Sequence, residues 1–196
     1  MVHWTEPMTT FYICRHGQTE NNLNQRFSGW IDTPLTAEGV QNAHASATKL
    51  GGLSFDTVIA SDLGRAFVTA YIITRDLGLS TEIQRAPELR EVNYGDYANR
   101  PYTEYPHMTP EENGVFVAPN GESLSQMQQR VMAFIQELAE TNPDKTILLV
   151  AHDGTINAIR GSFLGQSMGD ADLTRNAHDA VARFTFEGSV KSFEDL

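Results

Sequence analysis

Three short stretches of this 196-residue chain carry ionisable side chains at spacings that suit chemistry: Arg15-His16-Gly17, Ser61-Asp62-Leu63-Gly64-Arg65 and His152-Asp153-Gly154. Two guanidiniums converging on one spot favour an oxyanion, and phosphate suits their forked donors well. A histidine between them can attack phosphorus through a ring nitrogen and form a phosphohistidine. Asn22, on the loop after His16, can give an amide hydrogen bond to a phosphoryl oxygen. A leaving oxygen also needs an acid, and Glu91 in Pro87-Glu88-Leu89-Arg90-Glu91 is the natural candidate. Each residue taken singly has a plainer reading, as a structural histidine, a surface ion pair or a solvated acid. The joint pattern is what argues for chemistry.

The elements that would position these groups can be read from hydrophobic period. Phe11–Cys14, Thr57–Ala60 and Thr146–Ala151 are near-continuous apolar runs, as expected of strands covered on both faces. A further strand is expected around Glu82–Arg85, just before Glu91. Helices are expected from a Thr36 cap to about Leu50, from about Leu63 to Leu77 with Gly78 as the stop, from Glu122 or Ser123 to Asn142-Pro143, and after Ala151. Val181–Phe186 and Ser189–Phe193 read as a closing hairpin around Glu187-Gly188. This alternation implies an α/β sandwich with a mainly parallel sheet, in which ligands sit beyond the carboxyl ends of the strands. The three motifs all follow such ends. Residues 92–121 have little periodicity and contain four prolines, so a lid or insertion is expected there, within one domain spanning 1–196.

Composition narrows the function classes. The net charge of −11 argues against non-specific binding to nucleic acid or anionic membranes. The single cysteine, Cys14, rules out an internal disulfide and a Cys-rich zinc site, and it reads as a small core residue. No apolar run approaches the ~20 residues of a membrane span. Met1–Pro7 has neither a basic nor an apolar signal-peptide region, so a cytoplasmic location is expected. A cysteine phosphatase would need an arginine six residues after Cys14, where Glu20 stands, and no Walker or Gly-x-Gly-x-x-Gly loop occurs. A metal hydrolase built on His16 and His152 would place arginine beside each metal, a poor arrangement for a cation.

Arg15-His16-Gly17-Gln18-Thr19-Glu20-Asn21-Asn22 resembles the signature of the histidine phosphatase superfamily, the phosphoglycerate mutase-like fold. Phe27–Gln41 resembles the run that follows that signature. Ser61–Ala66 with Thr69-Ala70, Leu89-Arg90-Glu91 with Gly95, Gly121-Glu122-Ser123 and Val150-Ala151-His152 keep the family's order over roughly residues 10–190. The resemblance implies a three-layer α/β/α sandwich. It also implies that His16 is the phosphorylated nucleophile and Glu91 the proton donor and later base. Arg15, Arg65 and His152 would hold the phosphoryl group, assisted by Asn22 and the Ser28-Gly29 turn, with no metal or other cofactor.

Asp153 stands where the family commonly has glycine. A carboxylate there would either raise the pKa of His152 and keep it cationic, or repel phosphate. Asp96-Tyr97-Ala98-Asn99 also lacks the Glu-Gly pair that many phosphatase members carry at this point. No Lys or Arg occurs from Pro101 through Gln129, whereas the lid offers Tyr94, Tyr97, Tyr102, Tyr105, Met108 and Phe116. That composition favours a phosphatase acting on a small phosphomonoester with an uncharged or partly aromatic leaving group. A phosphoglycerate mutase-type phosphotransferase and a non-catalytic phosphate-binding module are the alternatives.

Overall fold

The structure is a computed structural model and describes residues 8–107, 109–166, 168 and 176–196. Met108 and the opening Met1–Pro7 lie outside the described residues. Six strands form one sheet: β1 (Thr9–Arg15), β2 (Thr57–Ser61), β3 (Ile83–Ala86), β4 (Thr146–Ala151), β5 (Val181–Phe186) and β6 (Val190–Asp195), in the order β3-β2-β4-β1-β5-β6. The first four are parallel, and the closing hairpin β5–β6 adds antiparallel at one edge.

The apolar runs divide between two cores because successive side chains point to opposite faces. Phe11, Ile13, Ile147, Leu149 and Ala151 face one side, and Tyr12, Cys14, Leu148 and Val150 face the other. On the first face lie α5 (Leu124–Thr141) and α6 (Asp153–Leu164), which bring Met127, Val131, Ile135, Ile156 and Ile159. On the second lie α2 (Ala37–Lys49) and α3 (Gly64–Asp76), with Ala47, Ala66, Ala70 and Ile73. The architecture is the three-layer sandwich with a mainly parallel sheet.

Two shorter helices are α1 (Glu20–Leu23) and α4 (Pro110–Val115). Local signals fix the helix ends. Thr36 Oγ1 accepts the Gly39 N–H at 3.0 Å. Ser123 and Gln126 form a reciprocal capping box at the start of α5. Gly78, at φ +66°, follows α3 in the left-handed conformation that glycine adopts most cheaply.

Residues 92–121 contain two 3-10 turns, Gly95–Tyr97 and Tyr102–Glu104, and a short helix, Pro110–Val115. Long-range bonds hold this segment in place. Asp96 N–H donates to Pro119 O, Glu122 N–H to Asn93 O and Asn99 N–H to Phe27 O. Phe27, Tyr94, Tyr97, Tyr102, Tyr105 and Phe116 form one aromatic cluster with centroid separations of 4.4–6.5 Å.

Candidate active site

β1 and β4 are register neighbours, so Arg15 pairs with Ala151 and both chains turn off the sheet at one level. The His16 N–H then donates to Ala151 O at 2.9 Å. A cavity of about 440 Å³ opens here, beyond the carboxyl ends of the parallel strands. Arg15, His16, Asn22, Ser28, Gly29, Arg65, Glu91, Tyr94 and Asp153 all line it. Of the lid aromatics named from the sequence, Tyr94 and Tyr102 reach this wall, whereas Tyr97, Tyr105 and Phe116 do not, and neither does His152. It is fully buried, with its ring edge-on to that of His16 at a centroid separation of 5.1 Å.

The imidazole of His16 is oriented by its own neighbour. Nδ1 lies 2.8 Å from Gly17 O, and a carbonyl only accepts, so Nδ1 carries the proton and Nε2 the lone pair. Burial, then Arg65 and Arg15, push the His16 pKa well below the usual histidine range, so the ring is neutral near pH 7.

Arg65 enters from the first turn of α3, where Asp32 receives the Gly64 and Arg65 N–H groups. Its guanidinium donates to Ile31 O at 3.0 Å and Gly29 O at 2.7 Å, which ties the Ser28-Gly29 turn to the cavity floor. Gly29 sits at φ +52° against the Tyr94 backbone, a place where a side chain would be strained and crowded. Arg65 Nε and Ser28 Oγ are buried without a hydrogen-bond partner among the described residues. Asn22 Oδ1 takes the Thr19 N–H and hydroxyl, so its NH₂ is the end left for a ligand.

Glu91 lines the same cavity. Its Oε1 accepts from Val92 N at 2.9 Å and its Oε2 from Gly154 N at 3.2 Å. Desolvation raises its pKa most and Asp153 adds to the rise, while the two backbone donors and Arg65 oppose it. The backbone is held too, since Trp30 Nε1–H donates to Glu91 O at 2.8 Å. Arg90 lies over the Trp30 ring and chelates Asp62.

Of the two effects weighed for Asp153, a cationic His152 is not the one its surroundings favour. Burial, Arg65, His16 and Arg15 drive the His152 pKa well below the usual range, and Asp153 is not among the causes. The carboxylate turns instead to Asn176, accepting its N–H and Nδ2–H at 2.9 Å each, and it pairs with Arg15 at 3.8 Å. Its charge is therefore partly offset before any phosphate arrives. Arg15 also donates to Asn176 O.

Sequence reasoning missed several wall residues, among them Phe27, Leu124, Asn157 and Met168. Asn157 was findable, because it sits four residues after Asp153 and so on the same helix face. Phe27 opens the run that resembles the family's, but nothing in its residue type placed its ring on the wall.

Residues 11–196 match the family described as the histidine phosphatase superfamily (branch 1). The chain is 34% identical over 161 residues to the adenosylcobalamin/alpha-ribazole phosphatase of Escherichia coli (strain K12), covering 79% of this chain and 78% of that protein. It is also 34% identical over 168 residues to the "Probable phosphoglycerate mutase GpmB" of Yersinia pestis (strain Pestoides F), covering 81% and 76%. The solved structure of Bacillus stearothermophilus YhfR superposes with a TM-score of 0.83 at 26% identity, over 95% of each chain. With the family match running through both cores and every wall residue of the cavity, the chain belongs to the histidine phosphatase superfamily.

Proposed function

We propose that this histidine phosphatase hydrolyses a small phosphomonoester through a phosphohistidine on His16, with Glu91 as the proton donor. The observation that carries the reading is the His16 ring. It is neutral, its Nδ1 proton is tied to Gly17 O, and its Nε2 lone pair is left beside two arginines. Nε2 attacks phosphorus while Glu91 protonates the departing oxygen, releasing the alcohol. Glu91, now a carboxylate, takes a proton from water as the water attacks the phosphohistidine. Inorganic phosphate leaves and the starting state returns.

Arg15, Arg65 and His152 hold the phosphoryl oxygens in this reading, with Asn22 Nδ2, Ser28 Oγ and the Gly29 turn adding donors. Tyr94 and Asp153 border the leaving group. The chemistry is metal-independent, because the fixed guanidiniums supply the charge stabilisation that a divalent ion would otherwise give. The chain acts as one domain, with residues 92–121 as the substrate-facing insertion. Among the described residues no helix is long and apolar enough to cross a membrane. A cytoplasmic location is the setting we assign, resting on the acidic chain and its one cysteine, which is buried.

The test is chemical trapping with a labelled phosphomonoester. Wild type should give an acid-labile, base-stable phosphoenzyme, His16→Ala should give neither phosphoenzyme nor turnover, and turnover should survive thorough chelation. Phosphate trapped stably to acid, or activity lost to EDTA and restored by zinc or magnesium, would overturn the mechanism.

A further inference from the structure

Ser61 ends β2 and His152 follows β4, and these strands are adjacent and parallel, with Ala60 opposite Val150. Both residues are completely buried. Ser61 Oγ lies 2.9 Å from His152 Nε2 and accepts the Leu63 N–H at 3.4 Å. A serine hydroxyl has one proton to give. Among the described contacts, His152 Nε2 is the acceptor within reach of it. The reverse arrangement, with Nε2 donating, would bury the Ser61 proton without a partner, the costly way to leave a hydroxyl in a dry interior.

The other ring nitrogen of His152, Nδ1, is buried and has no hydrogen-bond partner among the described residues. A neutral imidazole has a single N–H, so whatever holds Nε2 as an acceptor places the proton on Nδ1. The ring stands edge-on to His16. We propose that Ser61 is a positioning residue whose hydroxyl donates to His152 Nε2, fixing the proton on Nδ1 as a donor for the phosphoryl oxygen arriving at His16. The step from donor to phosphoryl oxygen rests on the phosphatase reading above; the tautomer does not. His16 and His152 then carry their protons on the same nitrogen and use opposite ends. His16 presents the Nε2 lone pair to phosphorus, and His152 presents Nδ1–H to oxygen.

The tautomer can be read directly by ¹⁵N–¹H correlation of the histidine rings in the full-length protein. The His152 signals are identified by their loss in His152→Gln. Wild type should show His152 with a protonated Nδ1 and an acceptor Nε2, and a protonated Nε2 in wild type overturns the proposal without any variant. In Ser61→Ala the proton should move at least partly to Nε2. Inhibition by orthovanadate, a phosphoryl mimic, should weaken by about a hundredfold, the lower end of the cost of losing one oxyanion donor. Ser61→Thr, which keeps the hydroxyl, should restore both readouts. A folded Ser61→Ala with an unchanged tautomer and unchanged vanadate affinity refutes the role. Absence of a phosphohistidine on His16 with the tautomer as stated would instead count against the phosphatase mechanism.

Discussion

In the proposed mechanism Glu91 holds a proton when the alcohol leaves and lacks one when water attacks. Its surroundings balance these needs. Burial and Asp153 favour the protonated form, while Val92 N–H, Gly154 N–H and Arg65 favour the carboxylate, and the net effect is a raised pKa. The proton-donating step therefore persists above the ordinary glutamate range near ~4.3 and declines as pH rises through the raised value. His16 must be neutral to attack, and its lowered pKa puts that requirement well below ~6.5. Asp153→Asn removes one of the influences that raise Glu91, so the basic limb of kcat/KM for an alkyl phosphate should move to lower pH. A pH–rate profile that keeps its basic limb in place, or moves it upward, would remove Asp153 from this role. Glu91→Gln should lower turnover of alkyl phosphates by roughly 10²- to 10⁴-fold, and of aryl phosphates, whose leaving groups need little protonation, much less. An equal loss on both ester types would remove Glu91 from the acid role. These residues were legible because ionisable groups at strand ends stand out from apolar runs. Ser61 was not, since a serine beside an aspartate advertises nothing until β2 and β4 are known to be neighbours.

Secondary-structure elements were legible in the sequence wherever one physical signal set them. Thr36 and Ser123 announce helices by capping chemistry, and the runs at 11–14 and 146–151 announce buried parallel strands by having no polar face. Residues 92–121 gave no such signal, because bonds to distant backbone shape them: Pro119 O, Asn93 O and Phe27 O. The four-residue helix Glu20–Leu23 depends likewise on the Thr19–Asn22 capping box and is too short to show a period in the sequence. At the start of α6 the local and the functional demands separate. Gly154 occupies the second helical position, where alanine would suit the helix better by up to ~1 kcal/mol. A Cβ there would, however, collide with Glu91 Oε1. Gly154→Ala should thus lower kcat on alkyl phosphates by roughly 10²-fold, the scale of an ångström-sized misplacement of a catalytic group, and should not raise the melting temperature, because the Cβ also crowds Met127 Cε at 3.1 Å. A variant with unchanged kcat would show that the carboxyl tolerates displacement.

Across the whole molecule, the fold does not choose between hydrolysis and phosphoryl transfer, since relatives with phosphatase and mutase names match this chain at the same 34% identity. The choice falls to the charges around the leaving group. The cavity's arginines, Arg15 and Arg65, are buried on its floor beside His16 and are committed to the Asn176, Gly29 and Ile31 carbonyls as well as to the space above. Toward the insertion, the described wall is aromatic and apolar, with Phe27, Tyr94, Tyr102, Leu124 and Met168, and its charged members are Glu91 and Asp153. No lysine or arginine occurs from Pro101 through Gln129. A phosphoglycerate brings a carboxylate to this wall. A mutase must also keep that anion bound while the phosphohistidine waits for its second encounter. Each 1.4 kcal/mol of unfavourable charge placement is a factor of ten, so esters of neutral alcohols should be hydrolysed at least about tenfold faster than 2- and 3-phosphoglycerate are interconverted. Parallel assays of phosphate release and of interconversion on one enzyme preparation decide it. Interconversion outrunning hydrolysis would mean that the acidic, aromatic wall accepts a carboxylate after all, and the phosphatase reading of this site would fall with it.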